Sequence, residues 1–123
     1  MKKLEVTLLV DAIRTRIRIP ASYIKTHPHY KVMVNPDTDE VIIRLQRAED
    51  PDTRPAPQTG SYLISIHGAV KMLYRCPPAA NQVLALPMKE NGPSIDLTYS
   101  VGKLTMLGST DRCYLVRDVI GRY

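Results

Sequence analysis

The stretch Ile13-Arg14-Thr15-Arg16-Ile17-Arg18-Ile19-Pro20 decides how this chain is read. A β-strand has a side-chain period of two. Read that way, Arg14, Arg16 and Arg18 fall on one face, and Ile13, Ile17 and Ile19 fall on the other. Same-face neighbours on a strand are about 6.6 Å apart, so the three guanidiniums form a row of fixed donors over an apolar underside. Such a row is either a solvated face that shields the sheet with arginine stems, or a strip that binds a polyanion through its guanidinium forks.

Moving outward from the strip, the pattern stays β. Leu4–Val10 precedes it as a strand, with Asp11 and Ala12 as the turn. Pro20 can open a short helix over Ala21–Lys25, which Pro28 ends, because proline is tolerated in a first helical turn. Tyr30–Val34 and Val41–Leu45 form a hairpin around Asn35-Pro36-Asp37-Thr38-Asp39-Glu40, a run of turn formers. Gln46 to Gly60 holds three prolines and no large apolar residue. That composition predicts a linker or exposed loop outside the core, tolerant of insertion or nicking between Asp50 and Gln58.

Beyond it, Leu63–Ile66, Val70–Cys76 and Val83–Leu86 are expected strands. Ile95, Leu97, Tyr99 and Val101 alternate with Asp96, Thr98 and Ser100 in the clearest half-buried strand of the chain. Gly102-Lys103 can turn this strand into Leu104–Leu107; in Asp111–Ile120, Cys113, Val116 and Ile120 fit a helix, while Tyr114, Val116 and their neighbours fit a strand, the reading taken for this terminal segment. The expected organisation is a β-hairpin half over 1–46, a linker or exposed loop over 47–60, and a second β-rich half over 61–123. Sliding the halves until Pro20 meets Pro77 sets Ile13 on Val70, Arg14 on Lys71 and Arg18 on Arg75. The second half is therefore either a degenerate repeat of the first or a small interaction domain.

Composition bounds the rest. The chain has 123 residues, a formal charge of +5 and 44% hydrophobic residues, with neither Trp nor Phe. Its core must be Val, Ile, Leu, Met and Tyr, and it lacks the aromatic platforms common in single-strand binders. The charge is +2 over residues 1–60 (10 basic, 8 acidic) and +3 over 61–123 (7 basic, 4 acidic). A pI near 9.4 permits nucleic acid as a partner. Cys76 and Cys113 lie far apart with no zinc-ligand spacing. The start, with Glu5 and Asp11 bracketing a short apolar run, is neither a signal peptide nor a membrane span, so no membrane partner and a cytoplasmic location are expected.

Catalytic signatures are missing from the sequence: no Gly-x-Ser-x-Gly, no Gly-rich phosphate loop, no His-Glu-x-x-His. Asp37, Asp39 and Glu40 read as solvated turn residues, since a calcium loop needs more ligands and a placed glycine. His27-Pro28-His29 lacks a third ligand, and lone cysteines in β-rich chains are mostly small buried hydrophobes. The expectation is a non-enzyme with no catalytic residue, metal or cofactor.

The run Val10-Asp11-Ala12-Ile13-Arg14-Thr15-Arg16-Ile17-Arg18-Ile19-Pro20-Ala21-Ser22-Tyr23-Ile24, followed by Tyr30–Val34 and Val41-Ile42-Ile43-Arg44-Leu45, resembles the AbrB/MraZ superfamily over roughly residues 5–46. The Arg-x-x-Ile-Pro element matches at Arg16, Ile19 and Pro20. The family's aspartate matches Asp11 if the turn holds one extra residue, and Thr15 stands where those proteins commonly carry glycine. The resemblance implies a mainly β fold, a small swapped-hairpin barrel with one short helix, built from two interlocked copies in two chains or two halves of one. It further implies a DNA-binding transcription regulator or antitoxin that uses basic residues on the hairpin face. The expected contacts are Arg14, Arg16 and Arg18, with Lys25, Lys71 and Arg75 as outer phosphate contacts. Duplex DNA is the expected partner, and a homodimer fits the fold. The alternative is a non-enzymatic module that binds or inhibits another protein, and a third reading is an RNA-binding β-barrel.

Overall fold

A computed structural model describes residues 2–11, 14–56, 62–73, 81–100 and 114–115. Among these described residues, nine strands and two short helices follow in the order β1 (Lys3–Val10), β2 (Thr15–Ile19), α1 (Ser22–Thr26), β3 (His29–Asn35), β4 (Glu40–Gln46), β5 (Arg54–Pro55), β6 (Tyr62–Ser65), α2 (His67–Leu73), β7 (Gln82–Asn91), β8 (Ser94–Ser100) and β9 (Tyr114–Leu115). The protein is mainly β, and its strands make one curled half-barrel sheet.

The sheet order is β5-β3-β4-β8-β7-β1-β2-β6, with β9 also on β3, and all pairings are antiparallel. The β1–β2 and β3–β4 hairpins do not pair with each other. Strands β7 and β8 stand between them, so segments from before residue 47 and after residue 61 alternate across one sheet. Strand β7 makes the join: Gln82–Pro87 pair with β1, and Met88–Asn91 pair with β8. Pro87 sits at the handover, where a residue with no N–H is tolerated because the ladder changes partner. The next amide, Met88 N, donates to Lys2 O at 3.0 Å.

Alternation selects what is buried. Val6 and Leu8 of β1, Ile17 and Ile19 of β2, Val32 and Val34 of β3, Val41, Ile43 and Leu45 of β4, Leu86 of β7, and Ile95 and Leu97 of β8 all point into one core. Turn chemistry fixes their registers. In the β3–β4 hairpin, Thr38 N donates to Asn35 O, Asp37 N donates to Asn35 Oδ1, and Asp39 adopts φ 57°. That left-handed conformation is one that Asp tolerates better than most residues. In the β7–β8 hairpin, Asn91 pairs with Ser94 across Gly92-Pro93, and Gly92 has φ 62°. A two-residue hairpin turn needs a residue of this kind at its first central position.

Helix α1 follows Pro20, whose carbonyl accepts from Tyr23 N, and closes where His27 N donates to Tyr23 O at 2.8 Å. It lies one residue beyond the expected Ala21–Lys25. The larger departure is α2, which forms where the sequence reading placed a Val70–Cys76 strand. Ile66, Ala69, Val70 and Leu73 are all buried, and this i, i+3, i+4, i+7 set is the apolar stripe of a helix. Those side chains join the core above the inner sheet face, and α2 contacts β2, β3 and β4. The helix thus lies against both arms of the curled sheet. The repeat alignment sets Thr15 and Arg16 of β2 against Met72 and Leu73 of α2, a strand on a helix.

The segment after Gln46 is tied to the sheet at several points. Asp50 accepts from Lys31 Nζ at 2.9 Å, from Gln46 Nε2 at 3.2 Å and from its own turn at Asp52 N. Arg54–Pro55 pair with β3, and Ala56 is buried with its N–H on Pro28 O at 2.8 Å. Burial of Ala56 corrects the expectation that this stretch stays wholly outside the core. Strand β9 falls within the expected Asp111–Ile120. The rest of that segment, with Ala12, Ile13, Gln58, Arg75, Cys76, Val101, Leu104–Leu107 and Cys113, lies outside the described residues.

Ile17 is fully buried, whereas Arg16 beside it is partly exposed on the opposite face. Ile17→Asp, which leaves a charge in the core, is expected to cost about 3 kcal/mol or more and to lower Tm by roughly 10 °C. Arg16→Ala is expected to stay within about 1 kcal/mol. Thermal melts followed by circular dichroism check the pair, and equal shifts would refute the face assignment.

Candidate nucleic-acid interface

The register of the β1–β2 hairpin pairs Arg18 with Thr7, Ile17 with Leu8, Arg16 with Leu9 and Thr15 with Val10. On the far side of β2, Arg18 pairs with Leu63 and Arg16 with Ser65 of β6, while β1 sets Thr7 against Val83 of β7. Cross-strand partners share a face, so the outer surface carries two parallel rows. One is Leu63–Arg18–Thr7–Val83 and the other is Ser65–Arg16–Leu9. Arg18 is exposed, and Val83, across Thr7 in the same row, is 61% exposed. Lys3 and Glu5 continue the exposed face along β1.

The hairpin tip brings Arg14 to the same end as Arg16. Asp11 N donates to Arg14 O at 3.0 Å, and Arg14 N donates back to Asp11 Oδ1 at 2.9 Å, which closes the turn. The other carboxylate oxygen, Oδ2, faces two guanidiniums: Arg14 Nε at 3.5 Å and Arg16 Nη2 at 3.4 Å. Arg14 is solvent-exposed, while Arg16 lies low on the sheet with a side chain 26% exposed. Its Nε is buried and has no hydrogen-bond acceptor among the described residues.

The remaining expected contacts do not join this row. Lys25 is exposed in the last turn of α1. Lys71 is exposed on α2, whose buried side packs on the inner face of the sheet, so it lies on the side opposite Arg16 and Arg18. Arg75 is outside the described residues. The sequence reading overlooked the Asp11 carboxylate as a partner of the arginines, though an aspartate three residues before Arg14 across a turn was a visible signal. It also overlooked Leu9, Leu63 and Val83, which flank the arginines only once distant strands are in register.

Other groups have structural partners. Arg44 makes a two-pronged contact with Asp96, Nε–Oδ1 at 2.7 Å and Nη2–Oδ2 at 2.9 Å, across β4 and β8. Lys31 and the Asp50 turn hold each other, and hydrogen bonds from Lys31, the Asp52 amide and Gln46 keep the Asp50 carboxyl down to about 2. Glu40 accepts from Thr38 within the hairpin turn. Among the described residues, no three His, Cys, Asp or Glu side chains are grouped to hold a metal, and no helix is long and apolar enough to cross a membrane. A shallow depression of about 530 Å³ opens where β7 leaves β1 for β8, lined by Lys2, Pro87, Met88, Lys89, Glu90 and Thr98. The Lys2–Glu90 ion pair at 3.0 Å is part of its lining.

No protein family, curated protein or solved structure matches the chain.

His27, between α1 and β3, is buried, with Nδ1 2.8 Å from Thr26 Oγ1. Burial and the nearby Arg47 charge lower its pKa, against an opposing effect of Glu90. The unfolded chain therefore takes up the proton first, and stability falls as pH drops through the ordinary histidine value of about 6.5. Thermal melts between about pH 7 and about pH 5 are expected to show a loss of Tm that His27→Gln reduces. A variant with an unchanged pH slope would contradict this.

Proposed function

We propose that this chain is a non-enzymatic, DNA-binding regulatory protein of the cytoplasm, a transcription regulator or antitoxin-like factor, that contacts the phosphate backbone through the outer face of the β1–β2 hairpin. The observation that carries the reading is the placement of Arg14, Arg16 and Arg18 at one end of one solvent-facing surface, over a core that fixes their spacing. Guanidinium forks on a rigid strand suit phosphate oxygens, which lie along a duplex as a regular array of charges. Phosphate contacts fix register and orientation without reading sequence, and no base-reading side chain is assigned. Lys25 is an outer contact in this reading, on α1 past the end of β2 that lies away from the tip.

The AbrB/MraZ-like swapped-hairpin architecture is part of the same proposal. Its support is the interleaving of strands: two hairpins from residues 3–46 that never pair directly, each extended by strands from residues 62–100. Asp11, Arg16, Ile19 and Pro20 occupy the hairpin positions that carry the resemblance.

A second reading, a module that docks on another protein, is favoured by one observation. Val83 is exposed at the end of the row that runs through Thr7 to Arg18, and Leu9 and Leu63 pair directly with Arg16 and Arg18, a mixed apolar and basic surface suited to an acidic protein partner.

Affinity for a random-sequence duplex, single-stranded DNA and RNA, measured by gel shift across a salt series, separates the readings. If the face meets phosphates, each of Arg14→Ala, Arg16→Ala and Arg18→Ala weakens binding about equally for all duplex sequences, and each lowers the slope of log K against log salt by about one unit. Arg44→Ala, on another part of the sheet, leaves the slope unchanged. A folded triple alanine variant with full affinity, or a wild type silent even at low salt, would discard the DNA reading in favour of the protein-docking one.

A further inference from the structure

Resting on the phosphate-binding reading of the hairpin face, we propose that Asp11 is an intramolecular latch on Arg16: its carboxylate occupies in the free protein the position that a backbone phosphate takes in the complex. Three features of the tip converge on this. Asp11 Oδ1 is committed to the turn through Arg14 N, so only Oδ2 serves the arginines, and one oxygen is shared by two guanidiniums at 3.4 and 3.5 Å. Those contacts are long for charge-assisted hydrogen bonds, which usually run 2.7–2.9 Å. A tetrahedral phosphate has more acceptor oxygens to offer and can satisfy both forks.

The second feature is Arg16 itself. It lies flat between Leu9 and Ser65, with Nε buried and no acceptor beside it among the described residues. A buried, unsatisfied donor is unfavourable, and an arginine is long enough to rise off the sheet and hydrate that N–H. The Asp11 contact therefore holds Arg16 in a state that a stronger anion releases. Third, Arg18, two residues along the same face, is exposed and pairs across strands with uncharged Thr7 and Leu63. It is available for a first, non-latched encounter. The sequence of events is contact at Arg18, displacement of Oδ2, and closure of Arg14 and Arg16 on the phosphate.

Asp11→Asn tests the latch without removing the turn, because the amide oxygen still accepts from Arg14 N. In the free protein, the Arg16 Nε–H should exchange with water more slowly than that of Arg18 in side-chain NMR, and Asp11→Asn should erase the difference. With a fluorescein-labelled random-sequence duplex, Asp11→Asn should bind about two- to fivefold tighter than wild type, the return on one weak surface ion pair, with the salt slope little changed because the complex contacts the same phosphates. The same substitution in an Arg16→Ala background should largely lose the gain. An equal gain in both backgrounds would mean simple removal of a negative charge and would overturn the latch, as would unchanged Nε–H exchange. Slow exchange released by Asp11→Asn, with no duplex affinity in either protein, would uphold the latch and reject phosphate of nucleic acid as its release. Unchanged exchange with normal duplex binding would reject the latch and leave the DNA reading intact.

Discussion

Everything in this molecule hangs on a single strand serving two neighbours. The first six residues of β7 complete the ladder of β1, and the last four start the ladder of β8. Without that handover the two hairpins of the N-terminal region would be separate ribbons, each with one apolar face in water and too small to be stable alone. With it, the faces curl toward each other, and Leu84, Leu86 and Met88 run continuously from one arm of the core to the other. Pro87 marks the change of partner, and Tyr23 of α1 reaches across to the Met88 sulfur at 4.0 Å.

Curling has a chemical result as well as a structural one. The inner face takes the branched aliphatic side chains and is closed by α2. Every long cation on β1 and β2 is consequently driven to the outer face, where strand geometry sets its spacing. On the other arm, the outer-face cations Lys31 and Arg44 have carboxylate partners in Asp50 and Asp96. At the β1–β2 tip, one carboxylate serves two guanidiniums and Arg18 stands beside them. This imbalance, rather than net charge, distinguishes the proposed interface from the rest of the sheet.

How much of this was legible in the chain depended on whether the information was local. The alternation expected over Leu4–Val10, Ile13–Ile19, Tyr30–Val34, Val41–Leu45 and Ile95–Val101 pointed to β1, β2, β3, β4 and β8, because a half-buried strand writes its pattern into consecutive residues. The α2 segment was misread because Lys71 and Arg75 resembled a second basic strand, while the Ile66, Ala69, Val70, Leu73 stripe was the truer signal. Strand β7 proved longer than Val83–Leu86, since Pro87 and the polar Lys89-Glu90-Asn91 looked like an end rather than a change of partner. The Gln46–Gly60 composition hid the anchoring role of Asp50, whose value lies in contacts to Lys31 and Gln46 that only folding creates. For the interface, the arginine row was readable, but the surroundings of each arginine were not: Leu63 and Ser65 reach Arg18 and Arg16 from 45 or more residues away.

The interleaved strand order also bears on how the chain is made. During synthesis β1 through β4 emerge long before β7 and β8, yet β1 and β4 each keep one edge open until residues 82–100 appear. Pairings separated by so much chain are slow to form, because loop closure must precede the contacts that stabilise it. For that interval the nascent chain exposes two hairpins, each with an Ile- and Val-rich face and a bare edge, a form prone to joining other unfinished chains. The closely spaced arginines of β2 and Lys3 of β1 repel like chains during the same window. The surface read here as a contact for phosphate then has an earlier duty, keeping newborn copies of the protein apart until the sheet can close.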